Sequence, residues 1–267
     1  MTESTPAEAT TESAPAATIK DSAGKTTALV TGANKGIGFE VAAALAARGM
    51  TVLLGSRDRA RGEQAAARLR AAGGDVRPIV LDVTDPATIA AAAAAIEAAP
   101  GRLDVLVNNA GVAGPVGDPP SATGPATVRE VLETNVIGVL MVTNALLPLL
   151  RRSPAARIVN VSSGVGSLAH HTDPAHYMSG LPASATYPVS KTALNQLTVQ
   201  YAKELRKDGI LVNAAAPGAC ATDFTKDLPF TITRSAADGA AIIVELATLA
   251  PGGPTGGFFD DEGIVRW

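Results

Sequence analysis

Thr31-Gly32-Ala33-Asn34-Lys35-Gly36-Ile37-Gly38 is the stretch that decides the fold. It follows an apolar run at 26–30 and opens an Ala-rich stretch at 37–48. A strand that turns on glycines straight into a helix is the first half of a parallel crossover unit. Glycines at such a turn let the backbone approach a pyrophosphate, and the helix N-terminus adds N–H donors and its positive dipole end. The stretch predicts a dinucleotide site on Gly32, Asn34, Lys35, Gly36, Ile37 and Gly38.

The same alternation continues outward. Strands are expected at 26–30, 51–54, 76–81, 103–107, 157–161, 211–215 and 257–259. Helices are expected at 37–48, 59–71, 86–98, 127–147, 187–207 and 236–250. The strands are short continuous apolar runs, the pattern of strands buried on both faces. Repetition of strand and helix implies right-handed parallel crossovers, hence an α/β doubly wound parallel sheet of about seven strands, helices on both faces.

Composition sets further bounds. The 267 residues are 46% hydrophobic and 18% charged, enough for one α/β domain with a sizeable core. Residues 1–24 carry four acids (Glu3, Glu8, Glu12, Asp21) against Lys20, which accounts for the whole net charge of −3. This Ala-, Thr- and Pro-rich segment is expected to be a disordered tail before a catalytic domain at 25–267. It lacks the basic start and apolar stretch of a secretory signal. Aromatics make up 3% and the rest of the chain is neutral, which argues against nucleic acid as a partner. The apolar run 136–150 is too short for a bilayer, and Asn144 and Pro148 interrupt it, so a buried core helix is expected. A single cysteine excludes an internal disulfide and fits a reducing, cytoplasmic setting.

The glycine spacing is Gly-x-x-x-Gly-x-Gly, and five further motifs follow in order. They are Asn108-Asn109-Ala110-Gly111, Thr134-Asn135-Val136-Ile137-Gly138, Val159-Asn160-Val161-Ser162-Ser163, Tyr187-x-x-x-Lys191, and Pro217-Gly218 with Thr222. Together they resemble the short-chain dehydrogenase/reductase family, over about 26–267. The resemblance implies a Rossmann fold and a catalytic set of Asn135, Ser163, Tyr187 and Lys191. Hydride would pass from a nicotinamide to a carbonyl carbon. Tyr187 would protonate the oxygen that Ser163 holds. Lys191 would bond the nicotinamide ribose, and Asn135 would hold a water in a proton relay. Tyr187 and Lys191 share a helix face, and an adjacent ammonium is expected to lower the phenol's pKa from about 10. The resemblance further implies cofactor contacts from Asp82, Val83, Asn109, Ala110, Gly111, Pro217, Gly218, Cys220 and Thr222. Asp82 fits an adenine contact or a plain strand-end cap. Cys220 fits a buried small apolar residue or a neighbour of the nicotinamide.

The end of the second strand reads Gly55-Ser56-Arg57, with no acid before Asp58. An acid there would bond the ribose 2′-hydroxyl and repel a 2′-phosphate, whereas Arg57 and Lys35 suit a phosphate. NADPH/NADP+ is the expected cofactor.

Two departures from the commonest family pattern stand out. Tyr187 lies 24 residues after Ser163, and the stretch 164–185 between them holds all three histidines of the chain. Its Gly- and Pro-rich flanks suggest a floppy loop that shapes the substrate pocket or an oligomer contact; no metal is expected. The sequence 253–267, together with Asn34-Lys35-Gly36-Ile37-Gly38, resembles the carbonyl-reductase branch, which reduces ketones, aldehydes and quinones with NADPH. Oxidation of a secondary alcohol is the alternative direction, and a silent dinucleotide sensor is disfavoured because tyrosine and lysine are both kept. A homodimer, a homotetramer and a monomer all stay open. No membrane partner is expected.

Overall fold

The computed structural model describes residues 25–115, 118–228 and 231–267. The expected disordered tail at 1–24 lies outside them.

Eight strands form one sheet: β1 (Thr27–Val30), β2 (Thr51–Ser56), β3 (Val76–Val80), β4 (Val105–Asn108), β5 (Arg157–Val161), β6 (Leu211–Ala215), β7 (Phe258–Asp260) and β8 (Gly263–Ile264). Their order is β3-β2-β1-β4-β5-β6-β7-β8. All neighbours are parallel except β7 and β8, where Phe259 pairs with Ile264. The sheet has one strand beyond the seven runs expected. The extra strand is a two-residue return whose Ile264 is 81% exposed, so no apolar run announces it.

The helices are α1 (Gly36–Ala47), α2 (Arg59–Ala71), α3 (Pro86–Ala98), α4 (Pro125–Leu132), α5 (Gly138–Leu150), α6 (Leu168–Thr172), α7 (Tyr187–Leu205) and α8 (Ala236–Ala247). Successive strand side chains alternate between the two faces. Ala28, Val30, Val105 and Val107 join α1, α2 and α8 in one apolar layer. Leu29 and Leu106 join α3, α5 and α7 in the other. The sheet is therefore sealed on both sides, as its unbroken apolar strands require.

Helix starts follow local chemistry. Asp58 caps α2 through Arg61 N (3.0 Å), Asp85 caps α3 through Ala87 N (2.9 Å), and Ser235 with Asp238 forms a capping box on α8. Between α4 and α5 the helix widens into a π turn, Glu133–Ile137. The run Pro125–Leu150 is thus continuously helical for 26 residues, long and apolar enough by composition to cross a membrane. The helix is longer than the apolar run 136–150 from which a core helix was expected. It nevertheless serves as a core helix: Val142, Leu146, Leu147, Leu149 and Leu150 pack under the sheet.

The strand order reverses between β1 and β4, which carry the glycine turn and the 108–111 motif at their C-terminal ends. In open α/β sheets a ligand cleft forms at that point.

Candidate active site

The glycine turn leaves β1 with Gly32 at φ +63° and Gly36 at φ +58°, conformations that side-chain-bearing residues rarely adopt. Helix α1 then begins at Gly36 with no side-chain cap, unlike α2, α3 and α8. Its first N–H groups are left to an outside acceptor. Across the cleft stands Thr222: a Cβ on Gly36 would come 3.5 Å from Thr222 Cγ2. An uncapped, glycine-lined helix start facing a narrow cleft fits the pyrophosphate of a dinucleotide.

Asn109 clamps the turn. Its Nδ2 donates to Thr31 O (2.8 Å) and Gly32 O (3.3 Å). Thr31 Oγ1 in turn accepts from Asn109 N (2.9 Å) and Ala110 N (3.0 Å). A Cβ on Gly38 would lie 2.4 Å from Asn109 Nδ2, so the clamp needs glycine at 38. Gly111 stands at the inner end of the cleft, where a Cβ would meet Asn135 Oδ1 at 3.2 Å and Lys191 Nζ at 3.7 Å.

The other expected cofactor residues scatter around this cleft. Arg57 is exposed just past β2. Lys35 is exposed and pairs with Asp223 (2.7 Å). Asp82 Oδ1 accepts from Thr84 N (2.9 Å) and Thr84 Oγ1 (2.8 Å), the strand-end cap the sequence allowed. Val83 is buried against Gly138 at the start of α5. Ile37 packs toward α8, and a Cβ on Gly239 would stand 3.4 Å from its Cδ1. Pro217 O accepts from Arg234 Nε (2.8 Å), and Gly218 takes φ +73° beside that guanidinium. Cys220 is buried, with Sγ 3.6 Å from Pro217 O and close against Gly239 of α8. Burial pushes its thiol pKa up. These are the surroundings of a small buried apolar residue, one of its two expected roles.

Tyr187, Lys191 and Ser163 meet where β5 and α7 converge. Ser163 lies beside the Tyr187 hydroxyl, close enough to pull its pKa down. Lys191 is buried, and its Nζ donates to Val161 O (2.8 Å) and lies 5.4 Å from the centre of the Tyr187 ring. Burial raises the Tyr187 phenol to about 12, with Ser163 pulling the other way. Burial lowers Lys191 to about 8. The expected lowering of the phenol by Lys191 is therefore corrected. Loss of water around a phenolate sets the direction, and the ammonium is turned to a main-chain carbonyl.

Asn135 sits in the π turn and is fully buried. Its Oδ1 accepts from Val112 N (2.9 Å), and its Nδ2 donates to Val112 O (2.9 Å) and Ser190 Oγ (2.9 Å). Both amide hydrogens are engaged. The side chain ties the segment after β4 to α7 at Ser190, next to Lys191 and about one turn from Tyr187.

A buried amide network escaped the sequence reading. Asn108 Nδ2 donates to Asn160 Oδ1 (2.9 Å) and Thr143 Oγ1 (3.2 Å), and Asn160 Nδ2 donates to Thr198 Oγ1 (2.9 Å). Ser162 Oγ donates to Asn195 Oδ1 (2.5 Å), and Asn195 Nδ2 reaches Gly166 O (3.1 Å). These bonds lock α7, which carries Tyr187 and Lys191, onto β5, which leads to Ser163. The spacing of Asn195 and Thr198 behind Lys191, on the helix face that meets the sheet, is the signal that could have found them.

The stretch 164–185 is not the expected floppy loop. It forms α6 and two short 3₁₀ turns, Gly164–Gly166 and Tyr177–Gly180. The chain's last residues hold it: Ser167 Oγ donates to Arg266 O (2.5 Å), and Ala169 N donates to Trp267 O (2.9 Å). His170 and His176 stack with centroids 4.0 Å apart, and His171 Nε2 faces Val165 O (3.0 Å). Among the described residues no three His, Cys, Asp or Glu side chains are grouped to hold a metal.

The short chain dehydrogenase family model matches residues 26–231. The short-chain dehydrogenase anuI of Penicillium roqueforti is 39% identical over 245 residues, covering 89% of this chain and 94% of that one. Carbonyl reductase [NADPH] 1 of Rattus norvegicus is 35% identical over 278 residues, covering 90% and 98%. The structure of NADPH-bound carbonyl reductase from chicken fatty liver superposes with a TM-score of 0.79 at 29% identity, covering 91% of this chain and 99% of that one. Uncapped glycine turn, sheet order and converging Ser, Tyr and Lys thus coincide with sequence similarity along most of the chain, and the chain is a member of the short-chain dehydrogenase family.

Proposed function

We propose that this chain is an NADPH-dependent oxidoreductase that reduces a ketone, aldehyde or quinone carbonyl, with Tyr187 as the proton donor. The observation that carries the proposal is the meeting of Tyr187, Ser163 and Lys191 at the inner end of the glycine-lined cleft. The cofactor supplies the hydride; the chain supplies the proton and the alignment.

A phenol at about 12 keeps its proton throughout the neutral range, which suits the acid of a reduction better than the base of an oxidation. Ser163, which stands beside that phenol, would hold the substrate oxygen within its reach. Lys191 is charged below about pH 8 and stabilises the phenolate left after proton transfer. The second lone pair of Asn135 Oδ1 and its main-chain carbonyl are the groups that can hold a water, since both its amide hydrogens are engaged. Asn34, Gly36 and Ile37 would line the pyrophosphate, with Asn109, Ala110, Gly111, Pro217, Gly218 and Thr222 flanking the rest of the cofactor. Arg57 and Lys35, with no acid at the end of β2, would take the 2′-phosphate. The NADPH-linked carbonyl reductases among its relatives support the same cofactor and reaction.

The test is NADPH oxidation across ketones, aldehydes, quinones and diketones, with Tyr187→Phe as control. Turnover that survives Tyr187→Phe defeats the mechanism. Turnover with no carbonyl defeats the reading.

A further inference from the structure

The loop between β6 and α8 carries a large apolar side chain to the reaction centre. The Phe224 ring stands 5.4 Å from the Tyr187 ring, centroid to centroid, with the planes tilted by 59°. It is one of five phenylalanines in the chain and is 44% exposed. Its place is therefore not explained by the core.

Its neighbours are held from three directions. Asp223 pairs with Lys35 (2.7 Å), Thr225 Oγ1 donates to Cys220 O (2.5 Å), and Ala221 N donates to Arg234 O (2.8 Å). These bonds fix the backbone on both sides and leave the ring over the phenol. The surface next to Ser163 is apolar too. A Cβ on Gly164 would stand 2.6 Å from Met178 Cε, so the thioether covers the residue after Ser163. Both groups that would handle a carbonyl oxygen thus have a polarizable apolar neighbour.

We propose that Phe224 is a specificity-determining residue, one that favours flat conjugated carbonyls (aryl ketones and quinones) over aliphatic ones. The inference rests on the carbonyl-reductase reading and names the substrate class of that same site. A tilted aromatic pair can exchange partners: a flat ring entering beside Tyr187 replaces the phenol as the surface on which Phe224 packs. An aliphatic carbonyl displaces the ring and offers less contact in return. Aromatic contacts of this kind supply roughly a two- to tenfold preference.

The experiment compares kcat/KM for an aryl diketone, acetylbenzoyl, with that for an aliphatic one, diacetyl. It uses the full-length enzyme and its Phe224→Ala, Phe224→Leu and Phe224→Tyr variants. The expected result is an aryl-to-aliphatic ratio that falls roughly fivefold in the Ala and Leu variants. The fall is carried by the acetylbenzoyl KM, and Phe224→Tyr restores the ratio. NADPH affinity and melting temperature, measured alongside, report that each variant is folded. An unchanged ratio in folded Phe224→Leu overturns the inference and leaves the reductase reading standing. Failure of the unsubstituted enzyme to reduce any carbonyl overturns both.

Discussion

Lys35 Nζ lies 2.7 Å from Asp223 Oδ2, a bond that joins the glycine turn to the loop carrying Thr222 and Phe224. The pair spans the mouth of the cleft, and Lys35 holds down the Asp223 carboxyl pKa. Both side chains are well exposed, so the attraction is modest and open to salt. A 2′-phosphate arriving at Lys35 must compete with Asp223. Asp223→Asn is therefore expected to lower the KM for NADPH about two- to threefold in low salt, the size of an exposed ion pair. NADH should be unaffected, and the gain should fade as ionic strength rises. Steady-state titration of both cofactors at two salt concentrations checks this.

Arg57 is a further exposed cation just past β2, and no acid precedes it at the end of that strand. Arg57→Asp removes a charge-assisted phosphate contact and introduces repulsion. The NADPH KM should rise by roughly tenfold or more, on the scale of lost charged hydrogen bonds. The NADH KM should move little. Equal changes for the two cofactors would remove Arg57 from the phosphate site.

The pH profile of reduction should have a basic limb set by Lys191 rather than Tyr187. Burial lowers Lys191 to about 8 and raises Tyr187 to about 12. As pH rises, the ammonium is lost first, while the phenol still carries its proton. The reductive kcat/KM should therefore fall through about pH 8. In Lys191→Arg the residual activity should lose that limb. A fall seen instead only above pH 10, near the ordinary phenol value, would assign it to the tyrosine.

Asn195 joins Ser162 on β5's extension to the Gly166 carbonyl, from inside α7. Asn195→Ala leaves the buried Ser162 hydroxyl without its acceptor, while the Gly166 carbonyl keeps the bond from Thr192 Oγ1 (3.1 Å). A loss of about 1–3 kcal/mol of stability is expected in chemical denaturation. Because α7 carries Tyr187 and Lys191, kcat should fall while the NADPH KM stays near its original value. Asn195→Asp, of similar size, should recover part of the stability through the Ser162 bond.

Ser167 and the Arg266–Trp267 backbone hold the stretch before Tyr187 in place. Ser167→Ala removes the α6 cap as well, since Ser167 Oγ accepts from His170 N (3.1 Å). Amide exchange in 168–180 should quicken in this variant and stay unchanged in the β1–β4 half of the sheet. Uniform quickening would mean that the anchor is not local.

The parts that were legible in the sequence share a cause. Strand runs such as Val76–Val80 and helices such as Arg59–Ala71 announce themselves through burial on one face or two, which is a local pattern. The motifs at 31–38, 108–111, 159–163 and 217–222 follow strands, where their order along the chain mirrors their place in the sheet, and Tyr187 and Lys191 announce themselves by helical spacing. What stayed hidden depends on partners far along the chain. The π turn at Glu133–Ile137 has ordinary helix-forming residues and differs only in its hydrogen bonds. The 164–185 stretch takes its order from residues about a hundred positions later. The spacing of Tyr187 and Lys191 gives their proximity, but not the burial that moves both pKa values. Asn160, Asn195 and Thr198 carry no apolar signal and become readable only once β5 and α7 are placed face to face.

The clamp between Asn109 and the glycine turn has an evolutionary side. The space that Asn109 Nδ2 fills is the space a side chain at 38 would need, with a separation of 2.4 Å. Position 38 is thus constrained by position 109, though they are 71 residues apart. An alanine at 38 would meet the Asn109 amide and, with residue 109 shortened, would still stand 2.9 Å from the Gly32 carbonyl, so glycine at 38 is held by side chain and main chain together. Glycine kept at 38 even where residue 109 varies is the trace that this double constraint should leave among descendants of a common ancestor.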